Sequence, residues 1–263
     1  MEILVCVKQV PDDSVAVHLK QGTQKVNLEG ITAVVNAFDT YALEMAVRLK
    51  EAVGGTVTVV TIGGEETKSA VKDCLAVGAD QGFLVSDPSF AGADMLGKSR
   101  ILAAAAKYLE KVSGKPFDII FCGREATDHA NGQVGCQLAE TLGVGIVTDL
   151  VDIEKTKAGV CCRKQTEEGY LRIESPCPCV VTVSKPAYDP RYPTIKSKLA
   201  ARRMSIPVLT LEQLGNIPVQ RHGFCTVKVF EPPKRKAGVK IQEEDSSDSA
   251  QKAIKMMVDA KLL

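Results

Sequence analysis

Thr56-Val57-Thr58-Val59-Val60-Thr61-Ile62-Gly63-Gly64 decides the fold. Every residue from Thr56 to Ile62 is β-branched, which favours extended backbone and reads as a strand. Gly63-Gly64 then turns the chain into a helix running to Val77 and closed by Gly78, and Gly82 to Ser86 is the next short strand. The same plan holds upstream. Ile3 to Val7 reads as a buried strand and Asn36 to Val53 as a helix, with Asn36 as candidate N-cap, Asp39 at the acidic third position, and Leu43, Ala46, Val47 and Val53 on one face. Downstream, Asp94 to Leu109 is helical, Phe117 to Cys122 is a strand, and Gly132 to Leu142 is a helix ended by Gly143. This alternation predicts an α/β fold, an open doubly wound, mainly parallel sheet of Rossmann type.

After Gly145 the pattern changes. Ile146 to Ile153, Val160 to Lys164, Tyr170 to Glu174 and Val180 to Val183 are short strands without intervening helices, the middle pair joined through Thr166 to Gly169 as a hairpin. They either extend the same sheet or form its edge. Pro186, Pro190 and Pro193 break the chain before a basic helical stretch, Ile195 to Arg203. Beyond Gly215 the composition is that of an arm, in which Pro232-Pro233 and the charged run Gln242 to Asp248 lead to an amphipathic helix, Ser249 to Leu262. Its Ala253, Ile254, Met257, Val258 and Leu262 form one apolar face, suited to packing on its own domain or to gripping a partner chain. The expected division is therefore 1–215 as the α/β domain and 216–263 as arm and helix.

The sequence has 263 residues, 45% apolar and 25% charged, which excludes disorder as the main state. Lys and Arg number 33 against 32 Asp and Glu, and a net charge of +1 gives no field to draw the chain onto nucleic acid or an anionic membrane. Met1 to Val10 has no signal-peptide pattern, and no stretch approaches the ~18 apolar residues of a membrane span. A cytoplasmic chain, complete as written, is expected. Nine cysteines without C-x-x-C spacing read as free thiols in a reducing compartment, and His18, His129 and His222 lack H-x-x-x-H partners, so no metal site is expected.

In open α/β sheets ligands bind beyond the carboxyl ends of the strands. Cys6 to Asp12, Ile62 to Glu65, Ser86 to Asp94 and Cys122 to Gly135 should meet there, with the Asn36 to Asp39 helix start nearby. The last loop is the most informative. Gly123, Asp128, Asn131, Gly132 and Gly135 permit close backbone approach, and Gln133-Val134-Gly135 open a helix whose N-terminus suits a phosphate. The alternative is a plain glycine turn before a capped helix. Separately, Gly92-Ala93-Asp94-Met95-Leu96-Gly97-Lys98-Ser99 matches G-x-x-x-x-G-K-[ST], the phosphate loop of an ATPase. Context opposes that reading, because Asp87 to Ala91 separates the match from its strand and Phe117 to Cys122 has no terminal Asp for magnesium. No nucleophile elbow, dinucleotide fingerprint or distinctive carboxylate pair is present, so no catalytic residue is assigned.

Taken in order, several motifs resemble one family. They are Val5-Cys6-Val7-Lys8-Gln9-Val10-Pro11-Asp12; Asn36-Ala37-Phe38-Asp39 with Ala42-Leu43-Glu44; Gly78-Ala79-Asp80; the Gly123 to Gly135 loop; Glu168-Gly169 before Ser175-Pro176-Cys177-Pro178-Cys179-Val180-Val181-Thr182; and Arg191-Tyr192-Pro193-Thr194-Ile195-Lys196. The chain resembles the beta subunit of electron-transfer flavoprotein along nearly its whole length. The resemblance implies an adenine-nucleotide alpha-hydrolase-like fold and a heterodimer with an FAD-carrying alpha subunit that exchanges electrons with flavoprotein dehydrogenases. The beta-subunit nucleotide is structural AMP in ordinary members. In the electron-bifurcating branch it is a second FAD, with NADH as donor, an acyl-CoA dehydrogenase/reductase-type flavoprotein as partner, and ferredoxin or flavodoxin as low-potential acceptor. Carried onto this sequence, the cofactor residues are Cys6, Asn36, Ala37, Phe38, Asp39, Ile62, Gly63, Asp94, Gly123, Asp128, Asn131, Gly132, Gln133, Val134 and Gly135.

Ser86 to Asp94 resembles the S-D-R-x-F-x-G-A-D-T loop of the bifurcating branch, with Pro88, Met95, the Gly97-Lys98-Ser99 triplet and Glu125 departing from its pattern. The resemblance also places a partner-docking loop at 186–203. Ile195 would be its apolar anchor, with Tyr192, Lys196 and Lys198 beside it and Arg202 and Arg203 completing a basic rim.

Overall fold

A computed structural model describes residues 1–215, 217–218, 226–233 and 237–263. His222 lies outside the described residues. The chain divides into two compact units, Met1–Val17 with Asn27–Val227, and His18–Val26 with Lys228–Leu263.

The strands are β1 (Glu2–Cys6), β2 (Gln9–Pro11), β3 (His18–Leu19), β4 (Val26–Asn27), β5 (Ala33–Val35), β6 (Thr56–Ile62), β7 (Gln81–Val85), β8 (Ile119–Gly123), β9 (Gly145–Lys155), β10 (Gly159–Thr166), β11 (Gly169–Pro176), β12 (Cys179–Val183) and β13 (Val208–Leu209). The helices are α1 (Ala37–Val53), α2 (Lys68–Ala76), α3 (Met95–Ser113), α4 (Val134–Leu142), α5 (Ile195–Arg203), α6 (Leu211–Leu214) and α7 (Ser246–Asp259).

The first unit is built on a nine-stranded sheet in the order β11-β10-β9-β12-β8-β1-β6-β7-β13. Every pairing from β9 to β13 is parallel, while β10 pairs antiparallel with both β9 and β11. The strands after Gly145 thus both extend the sheet and form its edge, with β12 inserted between β9 and β8. The period of two along β1 explains the double winding. Ile3 and Val5 face a core shared with Leu43, Met45 and Val47 of α1 and Val71 of α2. Leu4 and Cys6 face a second core with Ile101, Ala105 and Leu109 of α3 and Leu138 of α4. The chain runs from β1 to β6 on one side, and β8 then pairs on the other side of β1, so the crevice between β1 and β8 is the topological switch point.

β2 and β5 form an antiparallel ribbon between β1 and α1 that the sequence reading does not contain. These strands are too short to leave a periodic signal. In the second unit, the final helix is Ser246–Asp259, not the expected Ser249 to Leu262, because the Asp245 carboxylate accepts from the Ser247 amide and starts the helix earlier. Its Ile254, Met257 and Val258 remain about half exposed, at 54%, 45% and 52%.

Phe121 lies fully buried at the middle of β8. Phe121→Ala should lower the unfolding free energy by about 3–5 kcal/mol in urea titration, the cost of a cavity that flanking parallel strands cannot collapse.

Candidate functional site

The site forms where the ends of β1, β6 and β8 meet the start of α1. Beyond the last register pair of β1 and β8, Cys6 with Cys122, the strands diverge. The Asp39 carboxylate bridges them there, accepting from the amides of Lys8 at 2.7 Å and Gly123 at 3.1 Å. Asn36 holds the next stretch of loop, donating from Nδ2 to the Glu125 carbonyl at 2.8 Å and accepting from the Thr127 amide at 3.0 Å. Asn36 begins α1 but makes no side-chain cap, because its amide group is committed to that loop. The Asn36 backbone N–H in turn donates to the Lys8 carbonyl at 2.9 Å.

Gly123 is required by close approach. A Cβ there would lie 2.3 Å from Asp39 Oδ1 and 2.9 Å from the Asp39 amide nitrogen. Gly135, buried at the start of α4, would meet Thr182 Cγ2 of β12 at 2.5 Å. The candidate residues therefore separate into two groups. Cys6, Asn36, Asp39 and Gly135 are interior, their side chains or their lack of one serving to bring the backbone together. Ala37, Asn131, Gly132 and Gln133 are exposed at the rim, with Phe38, Ile62, Gly63, Asp94, Gly123 and Val134 half-buried between them. The α4 N-terminus carries no side-chain cap at Gln133, so its first amides are open to an anion. Gly132 has φ +60° and Ala130 φ +48°, left-handed values that let the chain turn sharply into this helix.

Lys8 supplies the charge at the same end. Its Nζ lies 2.6 Å from both Asp128 carboxylate oxygens, and His129 Nδ1 is 2.9 Å from Asp128 Oδ2. Burial opposes ionisation of Asp128, but the Lys8 and His129 contacts hold its carboxyl below the ordinary range. Lys98 lies half-buried within electrostatic reach of Lys8, Asp128 and Asp94, its pKa lowered by burial and then by Lys8. Asn131 Nδ2 meets Met95 Sδ at 3.4 Å, bringing the Gly123 to Gly135 loop against the start of α3. Sequence reasoning passed over Lys8 as a site residue, although it directly follows the first strand in the Val5 to Asp12 motif.

The phosphate-loop match does not form a phosphate cradle. Its helix start is occupied by the protein's own carboxylate, since Asp94 accepts from the Gly97 amide at 2.8 Å. Ser99 is fully buried and donates to the Leu96 carbonyl at 2.8 Å, so its hydroxyl does not face a metal. A short 3₁₀ turn, Pro88–Phe90, stands between β7 and α3, held by Asp87, which also accepts from the Leu211 amide at 3.1 Å.

The docking candidates lie elsewhere in the first unit. Arg191 clamps their segment to α1, contacting Glu44 Oε2 at 2.8 Å and Glu51 Oε1 at 2.6 Å. Arg48 adds a 2.6 Å contact to Glu44 Oε1 and lies 3.9 Å over the Tyr188 ring. Burial raises the pKa of Glu44, but its arginine contacts outweigh that and hold it below the usual value. With the loop so anchored, Tyr192 is 91% exposed and Ile195 82% exposed, and Thr194 forms a capping box with Ser197 at the start of α5. Lys196 and Lys198 are exposed beside them. A cleft of about 620 Å³ lies alongside, lined by Val34, Val35, Tyr41, Arg191, Tyr192 and Lys198 among others. The strand-end loops do not line it.

Among the described residues no group of His, Cys, Asp or Glu is placed to hold a metal, and no helix is long and apolar enough to cross a membrane. All eight described cysteines are free.

Fold and site define an α/β chain of the class that presents an uncapped helix start at the switch point of a parallel sheet. Residues 24–214 match the electron transfer flavoprotein domain. The chain is 36% identical over 256 residues to the electron transfer flavoprotein subunit beta of Megasphaera elsdenii, covering 95% of this chain and 94% of that one. It is also 36% identical over 255 residues to the acryloyl-CoA reductase electron transfer subunit gamma of Anaerotignum propionicum, covering 93% and 94%. Identity to the caffeyl-CoA reductase-Etf complex subunit CarD of Acetobacterium woodii is 36% over 247 residues, covering 92% of each. The chain belongs to the electron-transfer flavoprotein family, among its beta subunits.

Burial pushes Asp39 up to about 7, against the lowering effect of its amide donors. Between the ordinary carboxylate pKa and about 7 the folded chain keeps a proton on Asp39 that the unfolded chain has released. Its contribution favours folding at the acid end of that window and is lost as pH rises through about 7. Thermal unfolding from pH 5 to 8 should show wild type losing stability relative to Asp39→Asn as pH rises, and then levelling off.

Proposed function

We propose that the strand-end site holds FAD and that the chain, joined to an alpha subunit, takes part in electron bifurcation. Electrons from NADH would pass towards an acyl-CoA dehydrogenase/reductase-type flavoprotein and a low-potential acceptor such as ferredoxin or flavodoxin. The carrying observation is the convergence at one sheet end of the uncapped α4 start, the Gly123 and Gly135 close approaches, and two lysines. Such a place accommodates the phosphates of a nucleotide cofactor. Bound FAD would supply the redox chemistry, taking electrons from NADH and passing them on. Asp39 and Asn36 fix the two loops that would hold it, the α4 start and Lys8 would bind its phosphates, and the Ser86 to Asp94 loop would shelter the rest from water. The names of the relatives from Anaerotignum propionicum and Acetobacterium woodii, both subunits serving acyl-CoA-type reductases, support the bifurcating assignment over one with structural AMP.

In this reading residues 1–215 form the flavin domain with its docking loop at 186–203. Residues 216–263 form the arm that grips the alpha subunit, and the half-exposed apolar side chains of α7 give it the means. The complex works in the cytoplasm. Acid extraction of the purified heterodimer, with chromatography of the released nucleotides, should yield two FAD per heterodimer. One FAD and one AMP would overturn the assignment in favour of an ordinary electron carrier.

Docking rests on Ile195 as an apolar anchor within a charged rim. Ile195→Ala should weaken binding of the partner flavoprotein by tens of times, on the order of 2 kcal/mol, without changing nucleotide content. Surface plasmon resonance against the immobilised partner reads the difference, and unchanged affinity would remove Ile195 from the interface.

A further inference from the structure

We propose that Arg191 is a positioning residue for docking: fastened to α1 by Glu44 and Glu51, it presets the short segment that carries Ile195, so that the loop meets a partner flavoprotein already in its binding conformation. This rests on the docking reading of Ile195 and deepens it. It assigns the placement of the anchor to an ion network on a different element.

An exposed side chain has no packing of its own to hold it. Ile195 is the first residue of α5 and lies largely in solvent, so its place is set by what fixes the chain on either side. On the C-terminal side α5 is tied down by Ala201, which is buried in the core, and by Lys72 Nζ, which donates to the Arg202 carbonyl at 3.2 Å. On the N-terminal side, among the described residues, the nearest one hydrogen-bonded to another element is Arg191. Its backbone N–H donates to Glu44 Oε2 at 3.1 Å and its Nε to the same oxygen at 2.8 Å, while its two terminal nitrogens donate to the Glu51 carboxylate at 2.6 and 3.0 Å. Glu44 and Glu51 lie two helical turns apart on one face of α1, a spacing that the planar guanidinium bridges.

Glu44 makes this contact unusually firm. It is buried, and Arg48 takes its Oε1 at 2.6 Å while lying 3.9 Å over the ring of Tyr188 on the same loop. A buried carboxylate holds its place only while its cations stay, so Glu44 and the backbone of Arg191 fix each other. Pro190 and Pro193 restrict the chain on both sides of Arg191 and Tyr192. Between Arg191 and Ile195 stand three residues, of which one is Pro193 and another is Thr194, the N-cap of α5. The position of α1 is thereby passed to Ile195 with little slack.

Such a support has a kinetic signature. With the clamp released, only a fraction of loops present Ile195 correctly, which lowers the apparent association rate, whereas loss of the anchor's own contact raises the dissociation rate. The test is surface plasmon resonance of the heterodimer over an immobilised acyl-CoA dehydrogenase-type flavoprotein. Glu51→Gln removes the exposed half of the clamp. The pair Glu44→Gln with Arg191→Gln removes the buried charge together with its partner, where Arg191→Gln alone would leave a buried carboxylate short of a cation and put folding at risk. Both should slow association by about three- to tenfold, the scale of ordering one or two side chains, with dissociation within about twofold of wild type. Nucleotide content and the saturating response should stay at wild-type levels, which a misfolded fraction would lower. Arg191→Lys should fall between, since a point charge does not span two carboxylates. On an Ile195→Ala background the same clamp changes should have at most about a twofold effect, because there is no anchor left to present. Wild-type association in both clamp variants, an effect confined to dissociation, or clamp and anchor effects that simply add would overturn the proposal and leave Ile195 as the anchor. Wild-type binding by Ile195→Ala would overturn the docking reading and this proposal together.

Discussion

At the switch point of a parallel sheet, two neighbouring strands part company and their next amides lose their ladder partners. In this chain those amides belong to Lys8 and Gly123, and the Asp39 carboxylate takes both. The rest of the site follows from that bridge. To reach both strands, the first turn of α1 must press against the end of β8, which leaves no room for a side chain at residue 123. The same placement brings Asn36 under the Glu125 to Thr127 segment, where it satisfies one donor and one acceptor of a loop that would otherwise be half-buried and unpaired. Asp39 is itself buried, so its charge is disfavoured even while it accepts two amides. The loop geometry and the protonation of this one group are thus linked.

Much of the fold was legible because its elements are long or strongly patterned. The β-branched run Thr56–Ile62 is a strand over those same residues, and the basic stretch Ile195–Arg203 is a helix with the expected bounds. Both carry their own boundary signals, a glycine pair in one and a Thr-x-x-Ser capping box in the other. Short ribbons were not legible. Gln9–Pro11 and Ala33–Val35 pair across a gap in the chain, and nothing within either three-residue stretch announces the other. The last helix shows a third kind of limit, where Ala253, Ile254, Met257 and Val258 lie on the helix while Leu262 falls beyond its end, and an aspartate cap, hidden in a charged run, set the start.

In the site, sequence located the right loops but not the division of labour within them. Glycine spacing marks close approach, and Gly123 and Gly135 are places where a Cβ does not fit. Polar residues at a helix start suggest ligand contact, yet Asn36 and Asp39 are 1% and 6% exposed, so they work through the backbone they hold. Lys8 carries charge at the rim but sits in a mostly apolar run, and only the fold brings it to Asp128 across more than a hundred residues. Likewise, nothing local in Arg191 announces Glu44 and Glu51, since that clamp joins a proline-rich loop to a helix far upstream.

The Gly92 to Ser99 match shows why a motif needs its backbone. In a phosphate loop the glycines and the lysine converge because the chain leaves a strand and wraps directly around the anion. Here a 3₁₀ turn intervenes after β7, and Asp94 occupies the position of helix-start acceptor that a phosphate would take. With that acceptor in place, Gly97 is ordinary helix, and Ser99 turns its hydroxyl back to the Leu96 carbonyl. Lys98, at the fourth helical position, is left half-buried within electrostatic reach of Lys8, Asp128 and Asp94. The charge of the lysine that the motif shares with ATPases is therefore set against Lys8 and Asp128 rather than against the glycines that precede it.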